Sequence, residues 1–164
     1  TPALFEAFPT PYHMARATAE EIYPYIRSIS YPNNKARNLA GMARMLCEEF
    51  GGEVPSDLEQ MQRLPGVGRK TANLMLGDVF HVPGVVVADT HCIRITGRLG
   101  ITDGSKDPLQ VERQLRERIP PKESNNFCHR MVLFGRDTCT ARSPKCEGCP
   151  LAKDCDTAKA ARRG

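Results

Sequence analysis

The apolar residues of the chain recur mainly at helical spacing. Between residues 35 and 50, Leu39, Met42, Met45, Leu46 and Phe50 fall on one face of a helix. The same pattern predicts further helices near residues 18–28, 56–63, 69–79, 89–99, 108–119 and 123–136. We therefore expect an all-α protein.

Capping and turn residues indicate where several of these helices begin and end. Thr18 and Ser56 each stand three residues before a glutamate, which is the pattern of a capping box at a helix start. The segment Tyr31–Asn34 is expected to form a turn. The pair Gly51–Gly52 is expected to end the helix that precedes it.

The 164 residues fit one compact domain or two small lobes. With 40% hydrophobic residues and no tryptophan, the core must be built from aliphatic residues and methionine. No apolar run approaches the roughly 18 residues that a membrane helix needs, and the start of the sequence lacks the basic and apolar regions of a signal peptide. A boundary between lobes 1–83 and 84–164 is expected at Pro83–Gly84.

Positive charge is concentrated in two zones. The net charge of +4 permits a nucleic-acid partner without requiring one. Positions 60–77 contain no acidic residue but include Arg63, Arg69 and Lys70. Residues 139–164 hold three acidic residues and six basic ones, namely Arg142, Lys145, Lys153, Lys159, Arg162 and Arg163. Two such zones fit a surface that binds phosphates, although an ordinary solvated surface also explains them.

Four of the seven cysteines crowd near the C-terminus. An odd total and one tight cluster argue against a disulfide framework and favour metal ligation in a reducing cytosol. The cluster follows the pattern C-x6-C-x2-C-x5-C, with only one C-x2-C unit, whereas a zinc ribbon usually has two. Four cysteines can also hold an iron–sulfur cluster, so both this group and structural zinc stay open at this point. The ligand candidates are Cys139, Cys146, Cys149 and Cys155, while Cys47, Cys92 and Cys128 are expected to be ordinary buried thiols.

A tight connection joins the helices on either side of residue 66. Its glycines can adopt positive φ and allow close approach, and the free N–H groups at the next helix start suit an anion such as a DNA phosphate. A basic rim adds affinity that depends on salt. A simple helix–helix turn is the alternative. The candidate DNA contacts are Leu64, Gly66, Val67, Gly68 and Arg69.

Lys70 and Asp89 are candidates for catalysis. A lysine attacks carbon only as the neutral amine, and Lys70 lies at a helix start beside Arg69, where a positive charge is disfavoured. The alternative is a surface lysine that contacts a phosphate. Asp89 directly precedes a helix and would be a good N-cap, worth about 1 kcal/mol. One carboxylate oxygen would remain for proton transfer.

Residues 64–72, LPGVGRKTA, resemble the helix-hairpin-helix motif of the endonuclease III family of DNA glycosylases. The segment Val87–His91 is similar to the loop that carries an aspartate in that family. Motif order, spacing and the cysteine pattern agree over essentially the whole chain. The resemblance implies a helical-barrel lobe, with the hairpin at residues 58–79, and a cluster lobe whose cysteine loop, residues 139–155, holds a [4Fe–4S] cluster.

The resemblance also implies the roles of single residues. Lys70 would attack C1′ of a damaged nucleotide, release the base and form an imine, after which β-elimination breaks the strand on the 3′ side. Asp89 would face the lysine and stabilise positive charge at C1′. His91, Arg142 and Lys145 would contact DNA.

The function that this resemblance implies is base-excision repair of oxidised pyrimidines in double-stranded DNA. We expect a monomer in the cytoplasm, associated with the nucleoid of a bacterium. Family members have a further segment before the point where this sequence starts, and it includes a side chain that fills the gap left by the flipped base. A glycosylase without lyase activity and a DNA-binding module without catalysis are the alternatives; Lys70 argues against the former.

Overall fold

The structure, a computed structural model, describes residues 2–161, so Arg162 and Arg163 lie outside the described residues. This part of the chain is helical and contains no strand, as predicted. None of its helices is long and apolar enough to cross a membrane. The described range contains ten α-helices and a single 3₁₀ turn, Pro121–Glu123. The helices are α1 (Pro2–Ala7), α2 (Pro11–Arg16), α3 (Ala19–Ile26), α4 (Pro32–Glu49), α5 (Leu58–Arg63), α6 (Arg69–Asp78), α7 (Thr90–Leu99), α8 (Pro108–Arg118), α9 (Ser124–Asp137) and α10 (Asp156–Ala161).

The chain divides into two compact units, of which the first ends at Ala72 and the second begins at Asn73. The sequence predicted a lobe boundary later, at Pro83–Gly84. The division falls inside α6, because its second half packs with the residues that follow. There the Asn73 side-chain amide, which is buried, donates to the Val86 carbonyl at 3.0 Å.

In the first unit, α4 packs against α2 and α3. Its buried face consists largely of alanines, at positions 36, 40 and 43, which let the neighbouring helices approach closely. The predicted capping box opens α3: the Glu21 N–H donates to Thr18 Oγ1 at 3.3 Å, and the Thr18 N–H donates to Glu21 Oε2 at 2.8 Å. The predicted start of α3 is therefore confirmed.

Two local predictions in this unit were wrong. The expected turn at Tyr31–Asn34 is the start of α4, because Pro32 already has the φ that a helix needs. The chain bends over residues 27–31, and Tyr31, directly before the helix, is left-handed at φ 56°. The cap of α5 is Asp57 rather than Ser56, since Asp57 Oδ1 accepts from the Gln60 N–H at 2.9 Å.

The end of α4 follows the prediction. Gly51 and Gly52 have φ of 62° and 83°, and the Gly52 N–H donates back to the Leu46 carbonyl at 2.8 Å. This backbone conformation is one that glycine adopts without strain. The helix therefore stops where the two glycines begin.

The second unit has its own core, in which α7 packs against α9. The apolar run Val85–Val87 is buried in it without pairing as a strand, and the Val87 N–H donates to Cys128 Sγ at 3.3 Å. Cys92 and Cys128 are buried as predicted, whereas Cys47 is only partly buried. The hydrogen bond with Cys128 and burial raise the pKa of Cys92, so this thiol stays neutral.

Candidate active site and cluster site

The two glycines of the hairpin differ in their surroundings. Gly66 has φ 80°, and a Cβ there would lie 2.7 Å from Asn38 Nδ2, so the fold itself requires glycine. Gly68 does not have positive φ, and a Cβ there would meet nothing within 4 Å. Within residues 2–161, the N–H groups of Gly66 and Gly68 have no acceptor. The hairpin therefore presents open space and two free donors.

The remaining hairpin residues differ in exposure. The Leu64 side chain is only 3% exposed, its N–H donates to the Met61 carbonyl at 3.1 Å, and its carbonyl accepts from the Val67 N–H at 3.0 Å. Val67 and Arg69 are partly exposed. Arg63 forms an ion pair with Glu49 and lies over the Phe50 ring, with its guanidinium carbon 5.6 Å from the ring centroid. Part of the first basic zone is thus engaged within the protein.

Lys70 is the second residue of α6, directly after the hairpin, and its side chain is exposed. In the described part of the chain its ammonium makes no hydrogen bond or ion pair. Lys70 belongs to the first unit and Asp89 to the second. The helix start after the hairpin therefore presents one accessible amine.

Asp89 is the N-cap of α7, as the sequence predicted. Its Oδ1 accepts from the Cys92 N–H at 2.7 Å, and its backbone is extended at φ −85° and ψ 177°. The residue is partly buried. No donor to Asp89 Oδ2 is found in the described part of the chain, so one carboxylate oxygen is left for chemistry.

Two arginines on α7 bind the chain around Cys139. Arg94 Nη2 donates to the carbonyls of Gly135 at 3.3 Å and Cys139 at 3.0 Å. It also lies 3.2 Å from His91 Nδ1, which places His91 on this side of the helix. Arg98 Nη1 lies 3.3 Å from Cys139 Sγ. From the sequence these arginines could only be assigned to phosphate or solvent, because their partners lie more than 40 residues away.

The four clustered cysteines surround one cavity of about 90 Å³. Leu99, Phe134 and Ala152 give it apolar walls, and Arg98 and Lys145 also line it. No three His, Cys, Asp or Glu side chains of the described residues converge closely enough to hold a single metal ion. Four thiols distributed around an apolar cavity suit a multinuclear cluster, so the residues present fit an iron–sulfur group.

The loop between Cys139 and Cys146 is polar and open to solvent. Arg142 is exposed. The Lys145 ammonium lies 3.5 Å from Asp137 Oδ1, and its side chain is 67% exposed. Hydrogen bonding with Thr138 and the Lys145 charge hold the pKa of Asp137 below its ordinary value. The structure thus leaves both predicted basic side chains accessible.

Two family comparisons agree with this arrangement. Residues 1–121 match the HhH-GPD superfamily of base excision DNA repair proteins, and residues 139–155 match the iron–sulfur binding domain of endonuclease III. The chain is an HhH-GPD protein of the endonuclease III family. It is therefore a base-excision repair enzyme with a DNA glycosylase and abasic-site lyase role, and it carries a [4Fe–4S] cluster.

Curated relatives extend over nearly the whole chain. Endonuclease III of Synechocystis sp. is 42% identical over 98% of this chain and 73% of its own length. The Bacillus subtilis enzyme is 40% identical over 94% and 70%, and the Escherichia coli enzyme is 38% identical over 95% and 73%. The chain thus spans about three quarters of the length of these relatives.

Solved structures show the same fold. A trapped endonuclease III–DNA covalent intermediate matches with a TM-score of 0.88 and 42% identity, covering 98% of this chain and 75% of that one. A non-covalent endonuclease III–DNA complex matches with a TM-score of 0.89 and 41% identity, covering 99% and 76%. Both of these structures are complexes with DNA, which supports DNA binding by this chain.

Proposed function

We propose that this protein removes oxidised pyrimidines from double-stranded DNA and then cuts the strand, with Lys70 as the nucleophile. The supporting observation is an exposed amine at the start of α6, directly after a hairpin with open space and free N–H donors. A solved relative of the same family is a covalent intermediate with DNA. An attacking amine explains both base release and strand cleavage.

The proposed reaction has two stages. The neutral Lys70 amine attacks C1′, the glycosidic bond breaks, and the base leaves with the bonding pair and takes up a proton. The sugar ring then opens to give an imine between Lys70 and C1′. Loss of a proton from C2′ and departure of the 3′ phosphate complete the β-elimination, and water releases the amine.

Asp89 is proposed as the carboxylate of this reaction. With Oδ1 engaged by the Cys92 N–H, its other oxygen would stabilise positive charge at C1′ and transfer protons. The cap fixes the carboxylate on a rigid element, since α7 begins at the next residue. The same hydrogen bond thus stabilises the helix and orients the catalytic group.

We propose that the DNA phosphates are bound by the free N–H groups of Gly66 and Gly68, by the exposed part of the hairpin and by basic side chains. Contacts of this kind give affinity without sequence choice and weaken as salt rises. The proposed contacts comprise Gly66, Val67, Gly68, Arg69, His91, Arg142 and Lys145. Leu64 is not among them, because its side chain is buried and its N–H donates to the Met61 carbonyl. We expect the protein to act as a monomer. Because the relatives compared are bacterial enzymes, we also expect it to act in the bacterial cytoplasm.

The cluster is proposed to be held by Cys139, Cys146, Cys149 and Cys155, whose thiols line one cavity. When bound, it supplies four metal–sulfur links that close the loop. Closing the loop fixes Arg142 and Lys145, which lie between the first two ligands, so that both side chains can reach a DNA backbone.

Borohydride trapping on a duplex with one abasic site tests the nucleophile. A covalent protein–DNA band should form with the unaltered chain, disappear in Lys70→Ala and remain in Lys106→Ala, which removes another exposed lysine. Asp89→Asn retains a cap but loses the carboxylate charge, so trapping should slow while thermal stability stays the same. Base release without a trapped band would indicate a monofunctional glycosylase. DNA binding without either would indicate a binding module.

A further inference from the structure

The guanidinium of Arg98 binds three consecutive residues of the cluster loop. Nη1 lies 3.3 Å from Cys139 Sγ and 2.7 Å from the Thr140 carbonyl, and Nη2 donates to the Ala141 carbonyl at 2.9 Å. Arg98 is partly buried and lines the cavity of the four thiols. Its side chain therefore reaches both the sulfur and the backbone of the first proposed ligand segment.

Arg94 provides an internal comparison one turn earlier on α7. It binds the carbonyls of Gly135 and Cys139, but in the described structure it makes no bond to a sulfur. Both arginines hold the end of α9 against α7. Of these two arginines, only Arg98 also places a charged N–H donor on a thiol. Comparing variants of the two therefore separates an electrostatic effect on the sulfur from the structural effect of holding the helices together.

A guanidinium is positively charged at every physiological pH. When Cys139 is ligated as a thiolate, its sulfur still has lone pairs to accept from Arg98 Nη1. Such a charge-assisted bond is stronger than a neutral one. It favours the cluster oxidation state that places more negative charge on sulfur, and hydrogen bonds to ligand sulfurs are among the determinants of cluster potential.

We infer that Arg98 positions Cys139 and raises the reduction potential of the [4Fe–4S] cluster through its bond to Cys139 Sγ. This inference rests on the proposed assignment of Cys139 as a ligand. Arg98 is a positioning residue and has no part in the proposed attack on DNA. Its effect should therefore appear in the potential of the holoprotein even in the absence of a substrate.

The test compares the reduction potentials of purified holoproteins by protein-film voltammetry, with iron and sulfide content measured for each. Arg98→Met removes charge and donor and should lower the potential, and Arg98→Lys should lower it less. Arg94→Met removes contacts to carbonyls and to His91 but none to a sulfur, and Lys153→Met removes an exposed charge from the same loop. Both controls should stay near the unaltered value. Equal shifts in Arg98→Met and Lys153→Met, at full iron content, would overturn the inference.

A second measurement examines the contact between Arg98 and the cluster directly. In the unaltered protein, ¹⁵N-labelled arginine should show a hyperfine coupling to the paramagnetic cluster by electron–nuclear double resonance, and Arg98→Lys should lose it. Absence of this coupling in the unaltered protein would also refute the inference. Either failure would leave Lys70 trapping intact, whereas failure of the proposed function would abolish trapping without changing the potential.

Discussion

At the scale of single residues, the hairpin contains two glycines that are glycine for different reasons. Gly66 combines φ 80° with close contact to Asn38, whereas Gly68 has ordinary backbone and empty space beside it. The sequence alone treated them as equivalent. Because the fold does not require glycine at Gly68, the space there is available to a ligand.

Alanine substitutions should separate folding from DNA binding at these positions. Gly66→Ala should lower the free energy of unfolding by about 1–2 kcal/mol, because its left-handed backbone disfavours a Cβ. Gly68→Ala should leave stability nearly unchanged but weaken binding to an abasic duplex roughly tenfold, if a charge-assisted contact to phosphate is lost. Urea denaturation and fluorescence anisotropy measure the two effects. Equal DNA affinity of Gly68→Ala and the unaltered chain would contradict the proposed contact.

Residue roles that depend on local pattern could be predicted from the sequence, and those that depend on distant partners could not. The Asp89 cap uses an N–H three residues away and was predicted correctly. Arg94 was assigned to phosphate or solvent, yet it binds a carbonyl 45 residues later. No spacing rule connects such a pair before the fold is known.

At the scale of elements, α7 and α9 meet where Gly135 has no side chain. A Cβ at this position would lie 2.5 Å from His91 Nδ1 and 2.9 Å from Arg94 Nη2 and Ile95 Cδ1. The hydrogen bond from Arg94 to the Gly135 carbonyl depends on the same close approach. The contact between these two helices is thus set by one glycine.

Gly135→Ala should therefore destabilise the second unit by about 1–3 kcal/mol, the usual cost of overpacking a tight contact. Gly148→Ala is a matched control, because a Cβ there would meet nothing within 4 Å. Thermal unfolding followed by circular dichroism gives the comparison. Equal stability of the two variants would show that the helices can separate at little cost.

The helices themselves were predictable, but some of their ends were not. Periodicity predicts the helix of residues 35–50, whereas the proline and two asparagines before it predict a turn where the first turn of α4 lies. Proline at a first helical position and in a turn has the same φ. The left-handed Tyr31 before it, which decides between the two, has no sequence signal.

At the scale of the molecule, the cysteine loop of the second unit has little core of its own. Residues 139–155 include no α-helix and few buried side chains, although Arg94 and Arg98 bind backbone carbonyls within them. A segment with so little core gains much of its order from the metal group that closes it. We therefore expect the cofactor to be part of the fold.

Removal of iron should unfold this segment. We expect a cluster-free preparation to melt at a lower temperature than the holoprotein. We also expect trypsin to cut it faster at the basic residues Arg142, Lys145 and Lys153. Mass spectrometry of the fragments locates the cleavage. Identical melting and fragment patterns in the two preparations would show that the loop folds without metal.

The dependence of α7 on later residues has a consequence for synthesis on the ribosome. Apart from the Thr90 carbonyl, the backbone groups bound by Arg94 and Arg98 belong to residues 135–141, and Thr157 Oγ1 donates to the Arg98 carbonyl at 3.1 Å. At about 5–20 residues per second, these partners emerge seconds after α7 has left the exit tunnel. The helix that Asp89 caps must wait for them, so we expect α7 and its capping carboxylate to reach their final position only after the cysteines have been made.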